Sequence, residues 1–476
     1  MKRQPTIQSC LYQLIVLVIV NLVITSCNKK EIVPSTSIQV WTTTADKASL
    51  FSLQQPISFG SDSSKYPTIN VDTASRFQEV DGFGFTLTGA SAMLINKLKA
   101  PARDSLLREL FLPDGNGIGI SYLRVSIGAS DLDDHVFSYD DLKAGEKDLA
   151  LEKFSLEEDR KYLIPVLKQI LSTNPEIKIM GSPWSAPAWM KSNENAKGGS
   201  LKKEFYGTYA QYFVKYIRGM ADEGVPIDAI TIQNEPENPN NNPSLVMTAD
   251  EQADFIKDHI GPVFKRAGIK TKIILFDHNC DNPTYPISIL NNDSARQFVD
   301  GSAFHMYLGE INALSKVHDA HPDKNIYFTE QWTSGDGDFG GDLKWHIENL
   351  MVGAMRNWSR TVLEWNLAAD PLFNPHTPDG GCDKCLGALT IGETVTRNVS
   401  YYIIAHGSKF VRPGSVRIGS TEIKDLPNVA FINPKGQKIC IVLNTKNETQ
   451  NFQLKFNGQF AMASLKPGAV STFVWD

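Results

Sequence analysis

Short apolar runs recur through the middle of the chain: Gly82–Leu87, Tyr122–Ile127, Ile177–Gly181, Ala229–Gln233, Lys272–Phe276, Ser302–Tyr307, Asn325–Thr329 and Thr361–Trp365. Several are apolar at consecutive positions, the pattern of parallel strands covered on both faces. Between them the period changes. Tyr162, Leu163, Val166, Leu167, Ile170 and Leu171 repeat at three and four residues, as do Tyr209, Tyr212, Phe213, Tyr216 and Ile217, so these stretches are predicted helices. Eight strand-then-helix units predict an α/β fold, a TIM (β/α)8 barrel over residues 76–404. A doubly wound sheet competes, but no Gly-x-Gly-x-x-Gly turn follows the first run.

From residue 405 the texture alters. Phe410–Val411, Val416–Ile418, Ala430–Ile432, Ile439–Leu443, Phe452–Phe456 and Thr472–Trp475 are separated by breakers such as Arg412-Pro413-Gly414 and Lys466-Pro467-Gly468. That spacing predicts an antiparallel β-sandwich over 405–476. Ser37–Val71 is also strand-like, and residues 46–75 are expected to supply the sandwich's N-terminal strands. The side domain is thus built from both chain ends.

Composition changes the picture mainly by exclusion. The 476 residues are 42% apolar and 21% charged, which is ordinary for a globular chain. With 47 basic against 53 acidic residues, the net charge of −6 argues against a nucleic-acid partner. The N-terminus is distinctive. Lys2 and Arg3 precede an apolar run, Leu11–Ile24, and then Thr25-Ser26-Cys27. This resembles a bacterial lipoprotein signal, which implies removal of residues 1–26 and lipidation of Cys27. Residues 27–45 are then a polar tether, and the protein is an exported lipoprotein, facing the periplasm or anchored at the outer membrane or cell surface. It touches membrane only through that lipid. In an oxidising compartment Cys382 and Cys385 read as a disulfide that staples a loop. One Cys-x-x-Cys pair with His376 nearby does not make a closed zinc set, so no metal is expected.

The C-terminal ends of barrel strands are where side chains from separate strands converge. The fourth run ends Gln233-Asn234-Glu235-Pro236 and the seventh Thr329-Glu330-Gln331-Trp332. Around them fall Ser182-Pro183-Trp184, His305-Met306-Tyr307 and Glu364-Trp365-Asn366. Two carboxylates with an aromatic floor suit glycoside hydrolysis, which needs an acid at the leaving oxygen, a carboxylate at the anomeric carbon and flat apolar faces for sugar rings. Arg124, inside an apolar run, needs a carboxylate partner, and Glu330 is the natural one.

Together with Asp81-Gly82-Phe83-Gly84, Leu123-Arg124-Val125, Ala186-Pro187-Ala188-Trp189-Met190-Lys191 and Gly407-Ser408-Lys409-Phe410, these stretches resemble glycoside hydrolase family 30. Its members are retaining β-glycosidases that include glucosylceramidases and β-1,6-glucanases. The resemblance implies Glu235 as general acid/base, Glu330 as nucleophile and Asn234 on the sugar 2-hydroxyl. It also implies Arg124, Trp184, His305, Tyr307 and Trp365 lining the subsite of the attacked sugar, with no metal or organic cofactor. On this reading Arg124 keeps Glu330 ionised, and the neighbouring carboxylate raises the pKa of Glu235. Glucosylceramidases carry Asp at the place of Gly89; the Thr86-Leu87-Thr88-Gly89 form, with the Cys382–Cys385 loop, looks more like the β-1,6-glucanase branch. The expected activity is therefore an endo-β-1,6-glucanase acting on β-glucan, with a glucosylceramidase or other β-glucosidase as the alternative. A non-catalytic surface glycan-binding lipoprotein is the alternative of another class, and retention of both carboxylates stands against it.

Overall fold

The computed structural model describes residues 37–476. The expected signal segment, Cys27 and the first part of the tether lie outside the described residues. All eight apolar runs become parallel strands: Gly82–Thr86, Tyr122–Ser126, Lys178–Ser182, Ala229–Thr231, Lys272–Cys280, Val299–Gly309, Asn325–Glu330 and Ser359–Asn366. They close into a barrel in which the eighth strand pairs with the first, Val362 opposite Phe83. The two predicted helices are present as Leu163–Thr173 and Tyr206–Asp222, with their apolar faces buried. Tyr122, Met180, Ala229, Ile274, Ala303, Tyr327 and Leu363, one from each strand but the first, form a buried cluster that plugs the barrel.

The side domain is a hydrogen-bonded path of nine strands, with a tenth branching from Ser37–Thr43, folded around a second core that includes Ile38, Val40, Ile69, Phe452, Leu454, Phe473 and Trp475. Both chain ends contribute: Ser37–Thr43 lies antiparallel to Val470–Trp475, Val40 opposite Phe473. The strand begins inside the span read as tether, because alternating Ile38 and Val40 bury themselves in the sandwich core. One pairing departs from the antiparallel expectation. The long strand Thr68–Glu79 runs parallel to Gln450–Phe456 along its first residues and antiparallel to Val416–Ser420 along the rest. Register shifts beside Ile418 let it turn from one layer to the other. Phe410–Val411 is not a strand; it terminates the helix Val399–Ser408, which crosses the predicted boundary at 405.

That helix locks sandwich to barrel. His406 is fully buried, with Nδ1 2.8 Å from Thr472 Oγ1 and Nε2 2.9 Å from Thr43 Oγ1, so it touches strands from both chain ends. Lys409 Nζ donates to the carbonyls of Pro113, Gly115 and Gly117 at 2.7–2.8 Å. The barrel's core continues without a break into Val429, Phe431, Ile439 and Ile441 of the sandwich.

Candidate active site

Above the apolar plug lies a polar layer. Two residues beyond Tyr122, Met180, Ala229, Ala303, Tyr327 and Leu363, and so on the same inward face, stand Arg124, Ser182, Thr231, His305, Thr329 and Trp365. Simple alternation would place Phe276 there from the fifth strand. Instead Phe276 and Asp277 adopt left-handed backbone (φ 71° and 63°), and the register against the sixth strand slips. Asp277 turns inward as a result. Its buried carboxylate accepts from Arg124 Nη2 (2.8 Å), Thr231 Oγ1 (2.8 Å), Thr329 Oγ1 (2.7 Å) and Ser182 Oγ, and faces His305 Nε2 at 3.1 Å.

Arg124 is wholly buried and links this layer to the one above. Nη1 donates to Glu330 Oε2 (2.5 Å) and Nη2 to Asn234 Oδ1 (2.7 Å). Its guanidinium lies 4.7 Å from the Trp184 ring and 5.8 Å from the Trp365 ring, so aromatic faces replace water around the charge. Glu330 also accepts from Tyr307 OH at 2.8 Å, through Oε1. Glu235 sits on left-handed backbone (φ 47°) just past the fourth strand. Its Oε2 accepts from Asn238 Nδ2 (2.7 Å) and Asn241 Nδ2 (3.2 Å). His305 Nδ1 stands between the two glutamates, 3.2 Å from Glu235 Oε1 and 3.8 Å from Glu330 Oε1.

The carboxylates open into a cleft of about 540 Å³, whose walls include Asp131, Asn238, Tyr307, Leu308, Trp332 and Trp365. Arg124, Trp184, Asn234 and His305, read as lining, are buried against residues of the cleft wall or one another: Arg124 on Glu330 and Asn234, Trp184 on Trp365, His305 on Glu235. Cys382 and Cys385 are joined by a disulfide at the rim. Beside it Thr333–Ser334 pairs with Cys385–Leu386, tying the segment after the seventh strand to the one after the eighth. Gly89 needs correction as a marker of sugar recognition. A side chain there would run into the Asp133 carboxylate, in a separate small cavity, and not into the cleft. Asp277, Asp131, Asn238 and Asn241 are site residues that the sequence reading missed.

The protonation pattern also differs from expectation. Burial opposes ionisation of Glu235, but the hydrogen bond and positive charge of His305 prevail, with Asn238 adding to them, and hold its carboxyl at about 2. Burial lifts Glu330 above the usual 4.5, and the Glu235 charge adds to the lift against His305 and Arg124. His305 resists burial because Glu330, Asp277 and Glu235 surround it, and it is raised to about 9. The free site thus keeps its mobile proton on His305 and both glutamates ionised at neutral pH. Asp131 is pushed up to about 7 by burial and then by the charges of Glu330 and Glu235.

Sequence comparison matches residues 80–411 to the glycosyl hydrolase family 30 TIM-barrel domain and residues 414–473 to that family's beta sandwich domain. The chain is 35% identical over 413 residues to the endo-1,6-beta-D-glucanase neg1 of Aspergillus fumigatus, covering 81% of this chain and 82% of that protein. Against the lysosomal acid glucosylceramidase of Mus musculus the identity is 29%, covering 86% and 83%. Among solved structures, that of the endo-beta1,6-glucanase BT3312 superposes with a TM-score of 0.86 at 33% identity, over 92% of this chain and 99% of that one.

Proposed function

Since the chain belongs to glycosyl hydrolase family 30, we propose that it hydrolyses β-1,6-glucan internally, by a retaining double displacement on Glu330. One observation carries the mechanism: two buried carboxylates at the ends of the fourth and seventh strands share a single imidazole nitrogen beneath an aromatic-walled cleft. Glu330, steadied by Arg124 and Tyr307, attacks the anomeric carbon and forms a glycosyl ester as the bond to the leaving oxygen breaks. Among the surrounding charges, that of Glu330 does most to hold the proton on His305. As the ester forms, that charge is spent; His305 gives its proton to Glu235, which passes it to the departing hydroxyl. Water then attacks the ester, Glu235 takes its proton back toward His305, and Glu330 leaves as a carboxylate. Atoms and charge balance over the two steps.

The glucan assignment is supported by the names of the relatives at 33–35% identity, against 28–30% for the glucosylceramidases. Incubation with pustulan (a linear β-1,6-glucan), laminarin and glucosylceramide tests it. Short β-1,6-linked oligosaccharides from pustulan alone are expected; cleavage of glucosylceramide with pustulan untouched would overturn the substrate while leaving the glutamates in place. We further propose export and anchoring through Cys27, supported by the basic, apolar and small-residue order of the N-terminus. Cys27→Ser is expected to move the protein from the membrane fraction to the soluble one.

A further inference from the structure

His278 is the one histidine of this cleft left without a task. It follows Asp277 on the bulged fifth strand, is 6% exposed, and its Nδ1 is buried with no hydrogen-bond partner. That nitrogen points at Glu235 Oε1 from 3.9 Å. Glu235 Oε1 also faces His305 Nδ1 at 3.2 Å, and donor atoms of the three residues all lie within 4.8 Å of one another. Two imidazoles and one carboxylate form a recurring zinc ligand set, and tetrahedral bonds of about 2.0–2.1 Å put donor atoms roughly 3.3–3.5 Å apart. Binding therefore requires His278 to draw in toward Glu235 from its 3.9 Å separation.

The layer beneath supplies what such a set requires. Asp277 Oδ1 lies 3.1 Å from His305 Nε2, so a proton on Nε2 is pinned there, and the ion takes the place of the proton between His305 Nδ1 and Glu235 Oε1. Asp277, Glu330 and Asp131 surround the position with carboxyl groups against one guanidinium, that of Arg124. Glu235 and His278 both line the cleft, so a fourth ligand can reach the ion from it.

We propose that Glu235, His278 and His305 bind a single Zn²⁺, and that the bound ion silences hydrolysis by occupying the oxygen and nitrogen between which the proton moves. The silencing rests on the role of Glu235 given above; the binding does not.

Calorimetric titration of the purified protein with ZnCl₂ is expected to show one equivalent taken up at this site. Pustulan hydrolysis is lost in step and returns with EDTA. His278→Asn is expected to need at least about tenfold more zinc for both binding and inhibition, the inhibition read against the variant's own zinc-free rate. Should that variant fail to fold, Co²⁺ titration of the unaltered protein substitutes, with the visible bands of one four-coordinate nitrogen–oxygen site, abolished by Zn²⁺, as the expected result. Absence of stoichiometric binding and of such bands, or a folded His278→Asn as sensitive to zinc as the parent, overturns the proposal. If pustulan is not a substrate but one equivalent still binds, the glucan reading fails and the metal site stands.

Discussion

At the scale of single residues, Asp277 and His305 set the charge states that the two glutamates inherit. Glu330→Gln is expected to lower turnover by at least about 10⁴-fold, because an amide cannot form the glycosyl ester. Glu235→Ala should spare aryl glucosides with good leaving groups far more than pustulan; equal loss on both would remove Glu235 from the acid's role. The pH profile of kcat/KM follows from the same network. Its acid limb is expected above 4.5, where Glu330 gains a proton, and its basic limb near 9, where His305 loses one. A basic limb below pH 7 contradicts this, and His305→Asn should move that limb downward. Glu235 and Glu330 were legible in the sequence because each ends an apolar run beside a polar or aromatic neighbour. Asp277 and His278 were not, because the fifth apolar run stops at Phe276 while the strand continues to Cys280 through a bulge that breaks the alternation. The direction of the Glu235 shift depends on His305, His278 and Asn238, which only the fold assembles.

Among elements, the eight barrel strands were readable since burial on both faces leaves uninterrupted apolar runs. The sandwich strand Gln459–Leu465 was missed: only Ala461 and Leu465 of it are buried, too small an apolar signal for a strand. Phe410–Val411 looked like a strand from composition, yet its apolar side chains finish a helix. The rim disulfide is an element-scale device, since it reinforces the short pairing of Thr333–Ser334 with Cys385–Leu386 next to Glu330. Replacing both Cys382 and Cys385 by Ser is expected to raise KM for pustulan several-fold with a smaller change in kcat, measured on the folded variant. An unchanged KM would mean that the paired segments hold themselves.

For the whole molecule, the buried contact of His406 with Thr43 and Thr472 makes the union of barrel and sandwich sensitive to acid. Burial lowers His406 from 6.5 to about 3. Between those values the unfolded chain binds a proton that the folded chain refuses, so stability present above pH 6.5 is lost as pH falls, by about 1.4 kcal/mol per pH unit from this group. His406→Gln is expected to unfold more easily at pH 7 but to show a shallower decline toward pH 4 in urea titrations. A slope identical to that of the parent would assign the acid sensitivity elsewhere.

The pairing of Ser37–Thr43 with Val470–Trp475 also governs how the protein comes into being. Ser37–Thr43 meets Ser52–Leu53 and Ile57–Ser58 early, but its long partner is distant: Thr42 and Ser471 lie 429 residues apart. Until that partner emerges, the core around Val40 lacks Phe473 and Trp475, and the sandwich cannot close. A nascent chain built this way keeps its side domain open until Val470–Trp475 has been made. Loss of Val470–Trp475 would therefore leave Ser37–Thr43, at the far side of the described sequence, without its long partner.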